Sequence, residues 1–391
     1  MRKDQNYIKL SNTKMLLDII KDSRPISRAD IAKVAGMSPT SITRMVSFLQ
    51  QIGLVCETDI YSTGIGRRAV MLNIVADSAF TVGVHIDSTF IELCIINFEY
   101  TCIAMQKLPL TQPSYSAQDI ALLAYEMYDS ILSKKKINRT RILGIGIGVA
   151  GTVQYQTGLV SLSPQLLWNN VDIAKIFKEV FHLPVLVEND VKASIVGEKY
   201  IHKITDSTDT ALLLIGSGVG VAATTGGYLI RGRQNTAGEI GHIVSSPNGI
   251  LCDCGRIGCL QTYMAEKFLI NRAQVFDSTV MTLYDIQSAF DKHTDWAVEL
   301  MNICLDHFYL ALDILTNLYN PAVIIIGGAV TTVFKKPISL AAERFIHTGF
   351  KPLISSSTVF IAEAGSCGCV QGSAILAFQK YIYNLLEQSD F

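Results

Sequence analysis

Residues 238–260 read GEIGHIVSSPNGILCDCGRIGCL, and within them His242, Cys252, Cys254 and Cys259 form an H-x9-C-x-C-x4-C set confined to eighteen residues. Three soft thiolates and one imidazole are the donor set of a tetrahedral Cys3His zinc site. Four protein donors leave no open position, so the expected metal is structural and shapes this glycine-rich loop. The alternative is a group of free or disulfide-linked thiols. A C-x-C disulfide closes a strained ring, and no feature of the sequence points to an oxidising compartment. Zinc held by His242, Cys252, Cys254 and Cys259 is therefore the expectation.

The same loop opens with Gly238, Glu239, Gly241 and His242, a carboxylate and an imidazole just ahead of the cysteines. A metal on one ring nitrogen leaves the other as an oriented donor, which would link the metal to a neighbouring cleft. Further upstream, Val187 to Asp190 end an apolar strand with Glu188, Asn189 and Asp190. Asp190 is placed either as a general base toward a substrate hydroxyl or as an acceptor that only binds a sugar. Taken singly, Asn189, Asp190 and Glu239 also read as ordinary surface-loop residues.

Around these motifs, residues from about 78 to 391 alternate strand and helix patterns. Four glycine-punctuated apolar runs, Thr81–Asp87, Ile142–Gly151, Ala211–Gly220 and Ala322–Gly328, read as strands buried on both faces. Helical patterns lie at Ala117–Leu132, Ile173–Phe181 and Trp296–Tyr319. The expected body is α/β, two lobes around a cleft. Gly146, Gly148 and Gly151 match G-x-G-x-x-G, but the stretch after them reads as an extended turn, not a helix, so a dinucleotide site is rejected. Close approach of a ligand to the strand end is the expected use of those glycines, against a plain strand turn.

Charge separates a small head from this body. Residues 1 to 72 hold eleven Lys and Arg against six Asp and Glu, a balance of +5, whereas the remainder holds 22 against 28, or −6. A basic head on an acidic body suits a chain of which only the head meets a polyanion. Met15, Leu16, Ile19 and Ile20 predict a first helix ended by Pro25. Ser27 with Asp30 predicts a capping box for a second, with Ile31 and Val34 buried and Gly36 as its stop. Ser38 and Pro39 then start a third helix, with Ile42, Met45, Val46 and Leu49 as its buried stripe. Thr40, Ser41, Arg44 and Ser47 face outward, which suits a recognition helix in a major groove, Arg44 reading a base. The competing reading is the solvated face of a protein-interaction module.

Leu54–Thr58 and Val70–Ile74 alternate as two strands, and Arg67 and Arg68 near the glycine-bearing tip between them make a wing against DNA. Without a helix-turn-helix beside them they would be a solvated turn. The head spans residues 1–75, the body 78–391, with a hinge near Val75–Ala79. Met1 begins no signal-like segment and no apolar run reaches a membrane span, so a soluble, cytoplasmic protein is expected.

Together these residues resemble the ROK family of repressors, open reading frames and sugar kinases, and its repressor branch most closely. Pro25-Ile-Ser-Arg-Ala-Asp, Gly36-Met-Ser-Pro-Thr-Ser and Gly66-Arg-Arg are similar to that branch's winged helix-turn-helix. Trp168-Asn169, Glu188-Asn189-Asp190, Gly238 to His242 and Cys252 to Leu260 are similar to the family signature. The resemblance implies an actin-like sugar kinase fold, with Asn169, Asn189, Asp190, Glu239 and His242 on sugar hydroxyls and zinc on His242 and the three cysteines. It implies a sugar-responsive repressor that binds a palindromic operator as a homodimer or homotetramer.

The departures bear on activity. Where family kinases carry a D-x-G-G-T-K phosphate loop, this chain has His85-Ile-Asp87-Ser-Thr-Phe90, which sets a carboxylate where a phosphate would lie. The expectation is no enzyme, with an ATP-dependent sugar kinase as the alternative. Gln261 and Lys192 replace a family Glu and Asn, altering the charge and shape expected of the sugar site. Cys367 and Cys369 form a second C-x-C pair, read as a buried turn.

Overall fold

The computed structural model describes residues 5–58, 70–112, 114–354, 357–363 and 368–388. Its head is three helices, α1 (Gln5–Ser23), α2 (Arg28–Ala35) and α3 (Pro39–Gln51), with strands β1 (Ile26–Ser27), β2 (Val55–Thr58) and β3 (Met71–Ile74). The local signals place the boundaries. Ser27 accepts the Asp30 amide, Gly36 ends α2 in the left-handed conformation at φ 63°, and Ser38 caps α3 by accepting the Ser41 amide ahead of Pro39. Asp30 does not bond back to the Ser27 amide as the capping box predicts. Its carboxylate instead accepts the Ser27 hydroxyl at 2.7 Å, and Ser27 itself lies in β1, paired with β3.

Leu16, Ile20, Ile31, Ile42, Val46 and Leu49 are fully buried in one cluster, each burial stabilising by about 1.5–3 kcal/mol. Val34 is not among them. It is 66% exposed, because the packed side of α2 runs from Ile31 through Ala32 and Ala35. Met15 is likewise 38% exposed. β3 is the middle strand of the small sheet, antiparallel to both β1 and β2. Arg67 and Arg68 lie outside the described residues.

The body repeats one topology twice. In the first lobe β4 (Phe80–Ile86), β5 (Phe90–Asn97) and β6 (Cys102–Pro109) form an antiparallel meander. After α4 (Ala117–Lys135), β7 (Ile142–Val149) returns parallel to β4 on its open side. A second small sheet follows from β8 (Thr152–Gln154), β9 (Leu159–Ser163) and β10 (Trp168–Asp172). Then come α5 (Ile173–Phe181) and β11 (Val185–Asn189), which completes the order β11-β7-β4-β5-β6. Helix α6 (Asp190–Ile201) crosses to the second lobe. There β12 (Thr210–Ile215), β13 (Val219–Thr225), β14 (Tyr228–Leu229), β15 (Val323–Gly327) and β16 (Thr358–Ile361) form the equivalent sheet β14-β13-β12-β15-β16. The run Ala211–Gly220, expected as one strand, is the hairpin β12–β13. Gly216 donates to Gly218 at its turn, and apolar residues on both sides hide the turn from a pattern of burial alone.

A C-terminal helix, Gly368–Gln388, lies against both β7 and β4 and against α6. This explains the glycines that suggested ligand approach. A Cβ at Gly146 would stand 1.9 Å from the Ser373 carbonyl oxygen, and one at Gly148 2.5 Å from Cys369 Sγ. Those two glycines admit the helix, and only Gly151, at the strand end, borders the cavity described below. Cys369 is buried in that helix's first turn, and Cys367 lies outside the described residues.

The same helix joins head to body, since Phe378, Ile382 and Leu386 belong to the buried cluster of α1 and α3. The stretch expected as a hinge is a hydrogen-bonded turn: the Phe98 amide donates to Ala76 O, and Asn97 Nδ2 and Arg141 Nη1 donate to the Asp77 carboxylate and carbonyl. Among the described residues no helix is long and apolar enough to cross a membrane.

Candidate functional site

Between the two lobes lies a cavity of about 660 Å³, bordered by the end of β7, the start of α6, the β12–β13 turn and the 238–261 loop. Asn189, Asp190, Glu239 and His242 all line it. Asn169 does not. It is exposed on β10, opposite Leu162; Leu162 itself borders the cavity.

Asn189 caps α6, its Oδ1 accepting the Lys192 amide, while its Nδ2 donates to Gly151 O and to Asp190 Oδ1 at 2.9 Å. Asp190 follows in the first helical turn, oriented by that amide. Burial raises its carboxyl to about 6, and the charges of Glu239 and Asp87 add to the shift. An acceptor held this way receives a ligand hydroxyl well.

Beneath them Glu188 is wholly buried. Its Oε2 accepts Arg231 Nε and Nη2 at 3.1 and 2.9 Å, and its Oε1 accepts Asn235 Nδ2 at 2.8 Å and the Asn189 amide. This network braces the strand end on which Asn189 and Asp190 stand. Arg231 and Asn235 were missed in the sequence. The available signal was Glu188 itself, because a carboxylate closing a buried strand demands a cation and donors from elsewhere.

At the cavity's far wall, the ligand atoms of His242, Cys252, Cys254 and Cys259 lie within 4.8 Å of one another. Cys254 Sγ and Cys259 Sγ are 3.6 Å apart and Cys252 Sγ and His242 Nδ1 3.8 Å. Zinc–sulfur bonds of ~2.3 Å imply tetrahedral edges of ~3.8 Å, so the four donors are spaced to hold one metal ion. The Arg256 guanidinium donates to the His242 carbonyl, and Gly258 O accepts the Ser245 and Ser246 amides. Gln261 Nε2 donates to Cys252 Sγ at 3.2 Å, a contact that an ionised Glu, an acceptor only, could not make. Because Nδ1 faces the sulfur atoms, Nε2 of His242 remains for the cavity.

The stretch His85–Phe90, expected from the resemblance to be a degenerate phosphate loop, is a closed turn. Asp87 Oδ1 accepts the amide and hydroxyl of Thr89 at 2.8 and 2.6 Å, and the Asp87 amide donates to Phe90 O. The amides of Asp87 and Thr89 are thus engaged within the turn, and a carboxylate stands beside them. His85 packs edge-on against Phe90 at 5.2 Å. Burial pushes its imidazole down to about 4, so it carries no charge for a phosphate at neutral pH.

On the head, Ile42, Met45, Val46 and Leu49 are buried as expected, joined by Phe48. Thr40, Arg44 and Ser47 are exposed, and Ser41 is half-buried with its hydroxyl on Ser38 Oγ. α3 therefore presents a polar face with one guanidinium.

Two sheets of one topology closing on a cavity define an actin-like sugar kinase fold, here carrying an added head. The ROK family model matches residues 81–380, and the chain belongs to that family. A putative xylose repressor of Caldicellulosiruptor sp. strain Rt8B.4 is 27% identical over 397 residues, covering 96% of this chain and 98% of the relative. The crystal structure of a ROK family transcriptional regulator, a homologue of the Escherichia coli MLC protein, superposes with a TM-score of 0.82 at 21% identity. It covers 98% of this chain and 99% of its own. A ROK family glucokinase from Streptomyces griseus, solved with glucose and AMPPNP, reaches 0.61 at 26% identity. It covers 77% of this chain and all of its own.

Proposed function

We propose that this protein is a sugar-responsive transcriptional repressor. The observation that carries the reading is the polar outer face of α3, with Thr40, Ser41, Arg44 and Ser47, on a head that shares one apolar core with the cavity-bearing body. The likeness to a xylose repressor over both parts supports it. α3 enters the major groove, Arg67 and Arg68 follow the backbone alongside, and two copies read a palindromic operator in the cytoplasm. A sugar occupies the cavity through Asn189, Asp190, Glu239 and His242, with Asn169 at its margin. Zinc on His242, Cys252, Cys254 and Cys259 rigidifies the loop that carries two of these groups and supplies no reaction chemistry.

α6 carries the signal, because its first turn lines the cavity and its last turn meets the head-facing surface at Tyr200 and Glu99. ATP phosphotransfer is not part of the function, since the turn at Asp87–Phe90 engages the amides of Asp87 and Thr89 and sets the Asp87 carboxylate where a phosphate would lie. A kinase reading rests on Asp190, raised toward the range of a general base. The two separate in one assay: ATP turnover across pentoses, hexoses and N-acetylhexosamines, with thermal shift in the same wells. Stabilisation by a sugar without turnover supports the repressor; turnover abolished by Asp190→Asn establishes the kinase.

A further inference from the structure

Lys192 is 2% exposed and lines the cavity. Among the described residues its ammonium receives no hydrogen-bond acceptor, and no carboxylate oxygen lies within ion-pair distance of it. Three acids act on it only as charges at a distance: Glu188, which is bound to Arg231 and Asn235, Glu239 across the cavity, and Asp190, which is bound to Asn189. Its position compounds the cost. Asn189 is the cap of α6, so Lys192 stands at the third helical residue, where the helix dipole disfavours a cation. Burial accordingly lowers its basicity. The side chain is buried along its length while the ammonium opens on the cavity, and among the described residues bordering the cavity none comes within hydrogen-bond or ion-pair distance to complete it.

We infer that Lys192 binds an anionic group of the effector, so that the cavity takes a sugar bearing a carboxylate or a phosphate in preference to a neutral sugar. The inference rests on the proposed effector site and narrows its ligand. The polar groups divide accordingly. Asp190 and Glu239 are acceptors and suit ring hydroxyls, whereas Lys192 is a donor that needs an oxyanion. Asp253, also on the cavity wall, is paired with Lys267 at 3.0 Å, whereas Asp190, Glu239 and Glu266 border the cavity without an ion pair among the described residues, so the anion is received on the Lys192 side of the cavity. An asparagine here would serve a neutral ligand as well as a charged one.

The test is isothermal titration of the full-length protein with glucose, glucuronate and glucose 6-phosphate, and with N-acetylglucosamine and its 6-phosphate, against Lys192→Asn and Lys192→Met. The expected result is roughly tenfold or greater preference for an anionic form over its parent sugar, falling to near unity in both variants. The uronate and phosphate arms identify which oxyanion is meant. Both variants should also melt higher than the natural protein without ligand, a readout that stands apart from binding. Equal or tighter binding of a neutral sugar by the natural protein overturns the inference and leaves the effector site standing. An anionic preference unchanged in Lys192→Asn overturns the role of Lys192. Failure of every sugar, neutral and charged, to bind overturns the effector reading itself.

Discussion

Tyr200 Oη donates to the backbone carbonyl of Glu99 at 3.1 Å, and Tyr200 is on the same helix as Asp190 at the cavity. The twelve residues of α6 span about 18 Å. At its far end Glu99 forms an ion pair with Arg24, just beyond α1, at 3.0 Å. Tyr100 packs edge-on against both Tyr200 and Phe378, and Lys21 of α1 lies over its ring. Any displacement of α6 on sugar binding is therefore felt where the head is seated.

Tyr200→Phe removes the bond to Glu99 and keeps the ring. Sugar affinity should stay within about twofold, since the cavity is untouched, while the sugar's effect on operator affinity shrinks by about 0.5–2 kcal/mol. Parallel titrations with sugar and with DNA check this, and an unchanged coupling excludes α6 as the connection.

Arg44→Ala should weaken discrimination between operator and scrambled DNA by about 1–3 kcal/mol. Sugar binding should be unaffected, because Arg44 and the cavity share no contact. Competition binding at fixed salt measures the ratio. Equal loss on both DNAs would make Arg44 a phosphate contact, with base reading elsewhere on α3.

Cys254→Ser takes one donor from the four-residue cluster. Metal content by mass spectrometry should fall from one zinc per chain toward zero. Sugar binding should fall with it, because His242 and Glu239 are then no longer held. A chelator should reproduce both effects on the natural protein. Full zinc content in the variant would dismiss the ligand assignment.

Asp190 sets a pH dependence. Its folded value of about 6 lies above the unfolded range near 3.8. The folded state thus holds this proton more tightly, and its contribution to stability is lost as pH rises from about 4 through about 6. Asp190→Asn should flatten that part of the stability profile. A sugar hydroxyl donating to the carboxylate favours the ionised form, so effector affinity should rise across the same interval in the natural protein only. Calorimetry at pH 5 and pH 7 checks the sign.

Legibility followed the reach of each signal. Ser27, Gly36, Ser38 and Pro39 act within one helical turn, and the head's boundaries fall where these residues put them. His242, Cys252, Cys254 and Cys259 are brought together by a loop of eighteen residues, so spacing sufficed. The C-terminal helix was opaque, because the residues it presses against Gly146 and Gly148 are Cys369, Ser373 and Ala377. Small residues on both partners carry no amphipathic pattern, although their complementarity sets the close packing of the first lobe. Glu188, Arg231 and Asn235 meet across 47 residues, a distance over which no local rule operates. Val34 deceived because apolarity alone does not say which side of a two-turn helix is covered.

The central claim is that occupancy of the cavity controls DNA binding by the head. The most direct test is anisotropy of an operator duplex selected from genomic fragments, titrated with the full-length protein with and without the sugar that stabilises it. The account predicts that saturating sugar weakens operator affinity by 1–3 kcal/mol, about 5- to 150-fold, and that added salt weakens both curves through lost phosphate contacts. An operator affinity identical with and without bound sugar would contradict it.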